Sequence, residues 1–157
     1  MAVYSINNLL GGGTQQATTA TYMTQIALTA ATATLTQAQI IDIEFGTPGT
    51  PADNYIEYDV SKQTAAGTST SATPVPVRPA SARACGTVGS VCFTAEGTVT
   101  ANSSVLYIPS NQRASYRWVP VPGSEPEIPA TNLAGFAIRS RSAAYTGKIG
   151  ITAFFTE

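Results

Sequence analysis

Apolar and acidic residues alternate strictly in Ile41-Asp42-Ile43-Glu44-Phe45 and again in Ile56-Glu57-Tyr58-Asp59-Val60. Successive side chains of a β-strand point to opposite faces, so this period of two predicts two strands, each with one face buried and one in water. The same reading predicts strands at 75–77, 91–94, 98–100, 105–108, 115–121, 136–141 and 148–156. Turn formers separate them: the run GTPGTP from Gly46, the segment 86–89, Pro122-Gly123-Ser124 and Thr146-Gly147. No segment combines helical periodicity with caps and strong helix formers. Residues 24–40 (TQIALTAATATLTQAQI) pull both ways: the alanines permit a helix, the repeated β-branched threonines oppose one, and the balance leans to strand.

Many short strands punctuated by Gly and Pro predict an all-β fold, an antiparallel β-sandwich of jelly-roll-like kind. Prolines at 74, 76 and 79 fit only an edge strand or an extended connection, because each removes a ladder donor. A chain of 157 residues suits one hydrophobic core, so 14–157 reads as a single domain. Residues 1–13 read as separate from it. Val3, Tyr4, Ile6, Leu9 and Leu10 form a short apolar cluster cut off by Gly11-Gly12-Gly13, which suggests an extended N-terminal arm on a glycine hinge. Such an arm either frays or docks its apolar residues on a neighbouring subunit.

Composition narrows the function classes. Only 11% of residues are charged, against about a quarter in an average domain, and Thr, Ala, Ser and Gly take their place. A net charge of -1 supplies no general field for phosphates, so nucleic acid is not an expected partner. The first thirteen residues lack the basic start and apolar run of a secretion signal, and no stretch approaches the ~18 apolar residues of a membrane span. Synthesis in a cytoplasm is the expectation. There is no histidine, which removes the commonest proton shuttle and metal ligand, so a non-enzymatic protein without cofactor is expected.

Four groups of residues are candidates for chemistry or contact. Cys85 and Cys92 bracket Gly86–Val91, a segment with hairpin character; they either form a disulfide or pack as two small buried thiols. If 41–45 and 56–60 pair as a hairpin, Asp42 lies opposite Asp59 and Glu44 opposite Glu57. Four carboxylates on one face would need a cation, water and salt, or basic side chains, and Arg139 and Arg141 on one strand face are natural partners within the subunit or across an interface. Glu125 and Glu127 flank Pro126 at a separation that glycosidase carboxylates can adopt, but a Pro-rich loop favours solvation. Tyr107, Tyr116 and Trp118, near Arg113 and Arg117, have the composition of an interface hot spot, though a single Trp at strand spacing is also a core residue.

The stretch from about residue 105 to 157 carries a string of motifs: NQRASYRWV from Asn111, PGSE from Pro122, IPAT from Ile128, GFAI from Gly135, AYTG from Ala144, and a closing FFTE. This third of the chain resembles a C-terminal pattern in small structural proteins of tailed bacteriophages. The resemblance implies a virion part, of which a capsid decoration or cement protein is the nearest role, made in the host cytoplasm and sited on the capsid surface. It implies self-association, with a trimer as the usual form, and contact with the major capsid protein. A tail, neck or fibre-associated protein and a carbohydrate-binding β-sandwich are the alternatives. The expected contact residues are Val3, Tyr4, Ile6, Leu9, Leu10, Tyr116, Arg117, Trp118, Arg139 and Arg141.

Overall fold

The computed structural model describes residues 1–9, 16–31, 37–50, 52–81 and 83–157. The first four strands are β1 (Val3–Asn7), β2 (Met23–Ala30), β3 (Ala38–Gly46) and β4 (Tyr55–Ala65). An insertion follows, of β5 (Thr68–Ala72), β6 (Val75–Pro76), a 3-10 turn at Pro79–Ser81 and β7 (Thr87–Ala95). The chain ends with β8 (Thr98–Asn111), β9 (Tyr116–Trp118), β10 (Glu127–Ile128), β11 (Gly135–Arg141) and β12 (Gly150–Thr156).

One sheet runs β10-β3-β12-β1-β6, with β9 also paired to β3, and the other runs β5-β7-β2-β11-β4-β8. All pairs between these strands are antiparallel. Without the inserted β5, β6 and β7, a path β1-β12-β3-β9/β10 faces a path β2-β11-β4-β8. With the short β9 and β10 taken together as one position beside β3, the chain changes sheet at every step along these paths except β4 to β8, which is the two-Greek-key course of a jelly roll. The fold is the all-β sandwich expected.

Alternation along each strand builds the core. Ile43 and Phe45 of β3, with Ile151, Ala153 and Phe155 of β12, face Ile26 and Leu28 of β2, Ile56, Tyr58 and Val60 of β4, and Phe136 and Ile138 of β11. The Phe45 and Tyr58 rings meet across the gap with centroids 4.6 Å apart. The two acidic-alternating strands therefore do not form a hairpin; they lie in opposite sheets. Placed face to face they bury Ile43 and Phe45 against Ile56, Tyr58 and Val60 and send their carboxylates to opposite outer surfaces; Ile41 is only half-buried, because the pairing with β12 shifts register there and Ile40 takes the core position. Side by side, the register considered from sequence would oppose like charges.

Residues 3–7 are a sheet strand and not a detached arm. β1 pairs with β12 through Tyr4↔Phe155 and with β6 through Tyr4↔Pro76. Tyr4 and Ile6 are buried, and the Tyr4 hydroxyl donates to the Arg83 carbonyl at 2.7 Å. Asn8 continues the anchorage: its Nδ2 donates to the Ile149 carbonyl and its Oδ1 accepts from the Ile151 amide, each at 2.9 Å. The pattern Val3-Tyr4-Ser5-Ile6-Asn7 already has a period of two, and the glycines after it obscured that signal. Of the cluster, Val3 is half-buried and Leu9 is exposed, while Leu10 and the Gly11–Gly13 hinge lie outside the described residues.

Other boundaries moved for local reasons. Residues 24–30 are strand, as the threonines indicated, and 32–36 lie outside the described residues. The strands expected at 98–100 and 105–108 are one long strand, β8, interrupted by Asn102 at φ 56°. The strand expected at 115–121 is only β9, and the chain turns beyond it at Gly123, whose φ of 86° favours glycine. The segment 86–89 runs into β7 and is not a turn. Gly89 is there because a Cβ at that position would strike the Ile6 side chain and the Ala72 carbonyl. As expected of its prolines, β6 is an edge strand.

Because Ile6 fills the space between β1 and β7, Ile6→Ala should cost about 2–4 kcal/mol in chemical denaturation. A loss below about 1 kcal/mol would show that β1 is an appendage after all.

Candidate interaction surfaces

The first candidate surface is the β9 edge. Backbone pairing sets Trp118 opposite Ile43, Arg117 opposite Glu44 and Tyr116 opposite Phe45. Trp118 follows the inward side of β3 and packs half-buried against the core, while Arg117 turns outward. Its Nε lies 2.9 Å and its Nη2 2.6 Å from Asp42 Oδ2, and the Glu44 carboxylate stands 3.9 Å away. A cavity of about 430 Å³ lies beside it, lined by Glu44, Ser115, Tyr116, Gly150 and Thr152. Beyond the ion pair the chain exposes apolar surface: Tyr116 is 46% exposed, Val119 57% and Val121 73%.

A second surface lies on the outside of the other sheet, where β11 and β4 pair Arg139 with Asp59 and Arg141 with Glu57. Arg139 donates to Asp59 Oδ2 from Nε at 2.9 Å and from Nη2 at 2.5 Å, and Ser61 Oγ donates to the same oxygen at 2.6 Å. Arg139 is only 17% exposed and Asp59 6%. The polar segment from Glu96 to Ser104 covers this pair: Glu96 accepts from Thr24, and residues 99–104 line a cavity with Asp59, Ser61 and Arg139. Arg141 lies nearer the surface, with Nε 2.9 Å and Nη2 2.8 Å from Glu57 Oε2. Both guanidinium groups sit 4.8 Å from the centre of the Tyr22 ring, and the Tyr22 hydroxyl donates to Glu57 Oε2 at 3.1 Å. Burial and the bond to Glu57 push the Tyr22 hydroxyl up to about 12. Burial raises the Glu57 carboxyl, but hydrogen bonds from Arg141 and Tyr22 outweigh it and leave the group below its ordinary value.

The acidic strands thus find arginine within the subunit, one of the arrangements open from the sequence. Arg139 and Arg141 were also expected at an interface; Arg139 is occupied beneath a polar cover, and Arg141 keeps an exposed side. Tyr107 is not part of the β9 cluster. It lies opposite Asp59 on β8, with its hydroxyl on Glu57. Glu125 and Glu127 flank a buried Pro126: Glu125 accepts from the Gly123 amide at 2.8 Å, while Glu127 sits exposed opposite Gln39 in β10. Sequence reasoning overlooked Tyr22 and Tyr55. The spacing Tyr55-x-Glu57-x-Asp59 is the signal that would have placed Tyr55 on the acidic face.

Cys85 and Cys92 are both free thiols, half-buried. Cys92 lies within β7 and Cys85 precedes it, so the extended chain between them holds the two more than about 15 Å apart. A disulfide needs Cα atoms within about 7 Å, so of the two arrangements open from the sequence the structure has the unpaired thiols. Burial and the neighbouring Glu157 push the Cys85 thiol up to about 11, the opposite of what an attacking thiolate requires. Glu157 itself is a latch. Its side chain, 1% exposed, accepts from the Gly86 and Thr87 amides at 3.0 and 2.9 Å and from the Thr87 hydroxyl at 3.0 Å. It ties β12 to the entry of β7 in the other sheet.

Among the described residues, no three His, Cys, Asp or Glu side chains gather to hold a metal, and no helix is long and apolar enough to cross a membrane. No protein-family model, curated protein or solved structure matches the chain significantly.

Burial raises the Glu157 carboxyl, yet the hydrogen bonds from Gly86, Thr87 and Cys85 overcome that and set it below the ordinary 4.5. Its contribution is therefore complete above pH 4.5 and fades as pH falls through the lower folded value. Glu157→Gln should lose about 1–3 kcal/mol at pH 7 and much less at pH 3. Thermal melts at the two pH values check this; equal losses at both would refute the role of the ionised group.

Proposed function

We propose that this protein is a non-enzymatic structural component of a tailed-phage virion, which decorates and cements the capsid by self-association and contact with the major capsid protein. The observation that carries the reading is the β9 edge. A solvent-facing run of Tyr116 on β9 and Val119 and Val121 in the segment after it adjoins an arginine already held by Asp42, so apolar and aromatic area is presented beside a side chain that is already ordered. The resemblance of residues 105–157 to phage structural proteins covers this same segment. The jelly-roll path supports the reading only in kind, since that architecture serves capsids, lectins and cupins alike.

The mechanism needs no chemistry. Many copies binding the assembled shell more tightly than its separated parts stabilise the shell by mass action. A trimer adds avidity, because three β9 edges on one rigid body bind together. Low charge suits a surface that is desolvated on contact, since the arginines described above already have carboxylate partners within the chain.

The tests are the mass of the purified protein in solution and its binding to capsids that lack it. A trimer that saturates such capsids is expected. Tyr116→Ala combined with Val121→Asp should weaken capsid binding about tenfold or more while leaving the melting temperature nearly unchanged. A monomer without affinity for capsids would overturn the reading, and labelled protein found on tails would move the assignment away from the head.

A further inference from the structure

We propose that the outer face of the β2-β11-β4-β8 sheet carries a binding site for a neutral oligosaccharide, built by Tyr55 and Tyr107 around the Glu57–Arg141 ion pair. The site lies on the sheet opposite the β9 edge and does not depend on the virion reading.

Register assembles it. Tyr55, Glu57 and Asp59 share the outward side of β4; Arg141 on β11 stands opposite Glu57, and Tyr107 on β8 opposite Asp59. Tyr55 and Tyr107 thus stand on either side of the ion pair, and both are open to solvent, at 48% and 54% exposed. Tyrosine at such exposure on a sheet face offers a flat apolar ring with a polar rim. The alternately apolar and hydroxylated faces of a sugar ring need that combination. Between the rings, the Arg141 guanidinium is held by Glu57 Oε2 and lies 4.8 Å from the centre of the Tyr22 ring, and the Tyr22 hydroxyl donates to the same carboxylate. Groups held this way bind vicinal hydroxyls without losing side-chain freedom.

Charge selects the ligand class. Glu57 and Asp59 are each matched by an arginine, while the Glu96 carboxylate near the same face is held by Thr24, so the face is slightly acidic and does not attract a sulfate or a phosphate. Nucleic acid is disfavoured because the face offers its phosphates no arginine that is not already bonded to a carboxylate. Sugar hydroxyls replace water on the Glu57–Arg141 pair one for one, which leaves a neutral, hydroxyl-rich ligand as the occupant.

The test begins with the full-length protein on a glycan array that holds neutral hexose oligosaccharides beside sulfated and sialylated ones. Saturable binding confined to neutral glycans is expected. The strongest neutral oligosaccharide is then titrated calorimetrically against variants. Tyr55→Ala and Tyr107→Ala should each weaken it by about tenfold with melting unchanged. Tyr107→Phe, which keeps the ring, should stay within about threefold, and Tyr116→Ala on the other sheet should bind as the parent does. Absence of saturable binding to any neutral glycan, preference for acidic glycans, or full binding by a folded Tyr55→Ala/Tyr107→Ala variant would each overturn the proposal. So would loss of self-association in Tyr107→Ala without any change in glycan binding.

Discussion

The structure depends on one contact, the meeting of β3 and β4 face to face with Phe45 against Tyr58. Both strands alternate apolar with acidic residues, and each therefore has one side that must leave water and one that must keep it. Two such strands bury most of their apolar side chains at once only by facing each other across a sandwich. That placement fixes which sheet each strand joins, and the remaining strands add to one sheet or the other with the same inward alternation. The hydrophobic term is non-directional, but the pleat converts it into a specific topology, because a one-residue slip would turn every buried side chain outward.

Facing packing has an electrostatic consequence. Asp42 and Glu44 emerge on one outer surface and Glu57 and Asp59 on the other, so no common counterion can serve them. Each surface supplies its own arginines: Arg117 from β9 on the first, Arg139 and Arg141 from β11 on the second. The most buried of these pairs, Arg139 with Asp59, joins adjacent strands, and a shift of β11 against β4 would leave an uncompensated buried charge. Its contribution is better described as holding register than as adding net stability.

With charge matched internally, the surface divides into hydroxyl-rich strands and two aromatic regions of different character. The β9 edge offers apolar area beside an arginine already held in place, the chemistry of a protein contact. The Tyr55–Tyr107 face surrounds a half-exposed ion pair, the chemistry of a hydroxylated ligand. They lie on opposite sheets, so one can be occupied without obstructing the other.

The sequence by itself determined the all-β class, the one-core size, the buried positions Ile43, Phe45, Ile56, Tyr58 and Val60, and the edge position of Pro76. These are local properties, set by side-chain periodicity and by backbone groups that a residue has or lacks. Which strands are neighbours was decided by tertiary packing. The alternation of 41–45 is equally compatible with a hairpin to 56–60 and with a place in the opposite sheet; only the burial of both apolar faces together, and the repulsion a hairpin would impose, separates the two. The same reason explains residues 3–7: Tyr4 and Ile6 have strand spacing, but nothing local reveals that a gap lined by Gly89 awaits them between β1 and β7. It also explains the tyrosine face, where Tyr22, Tyr55 and Tyr107 are far apart along the chain and are gathered around Glu57 only by the register of β11, β4 and β8.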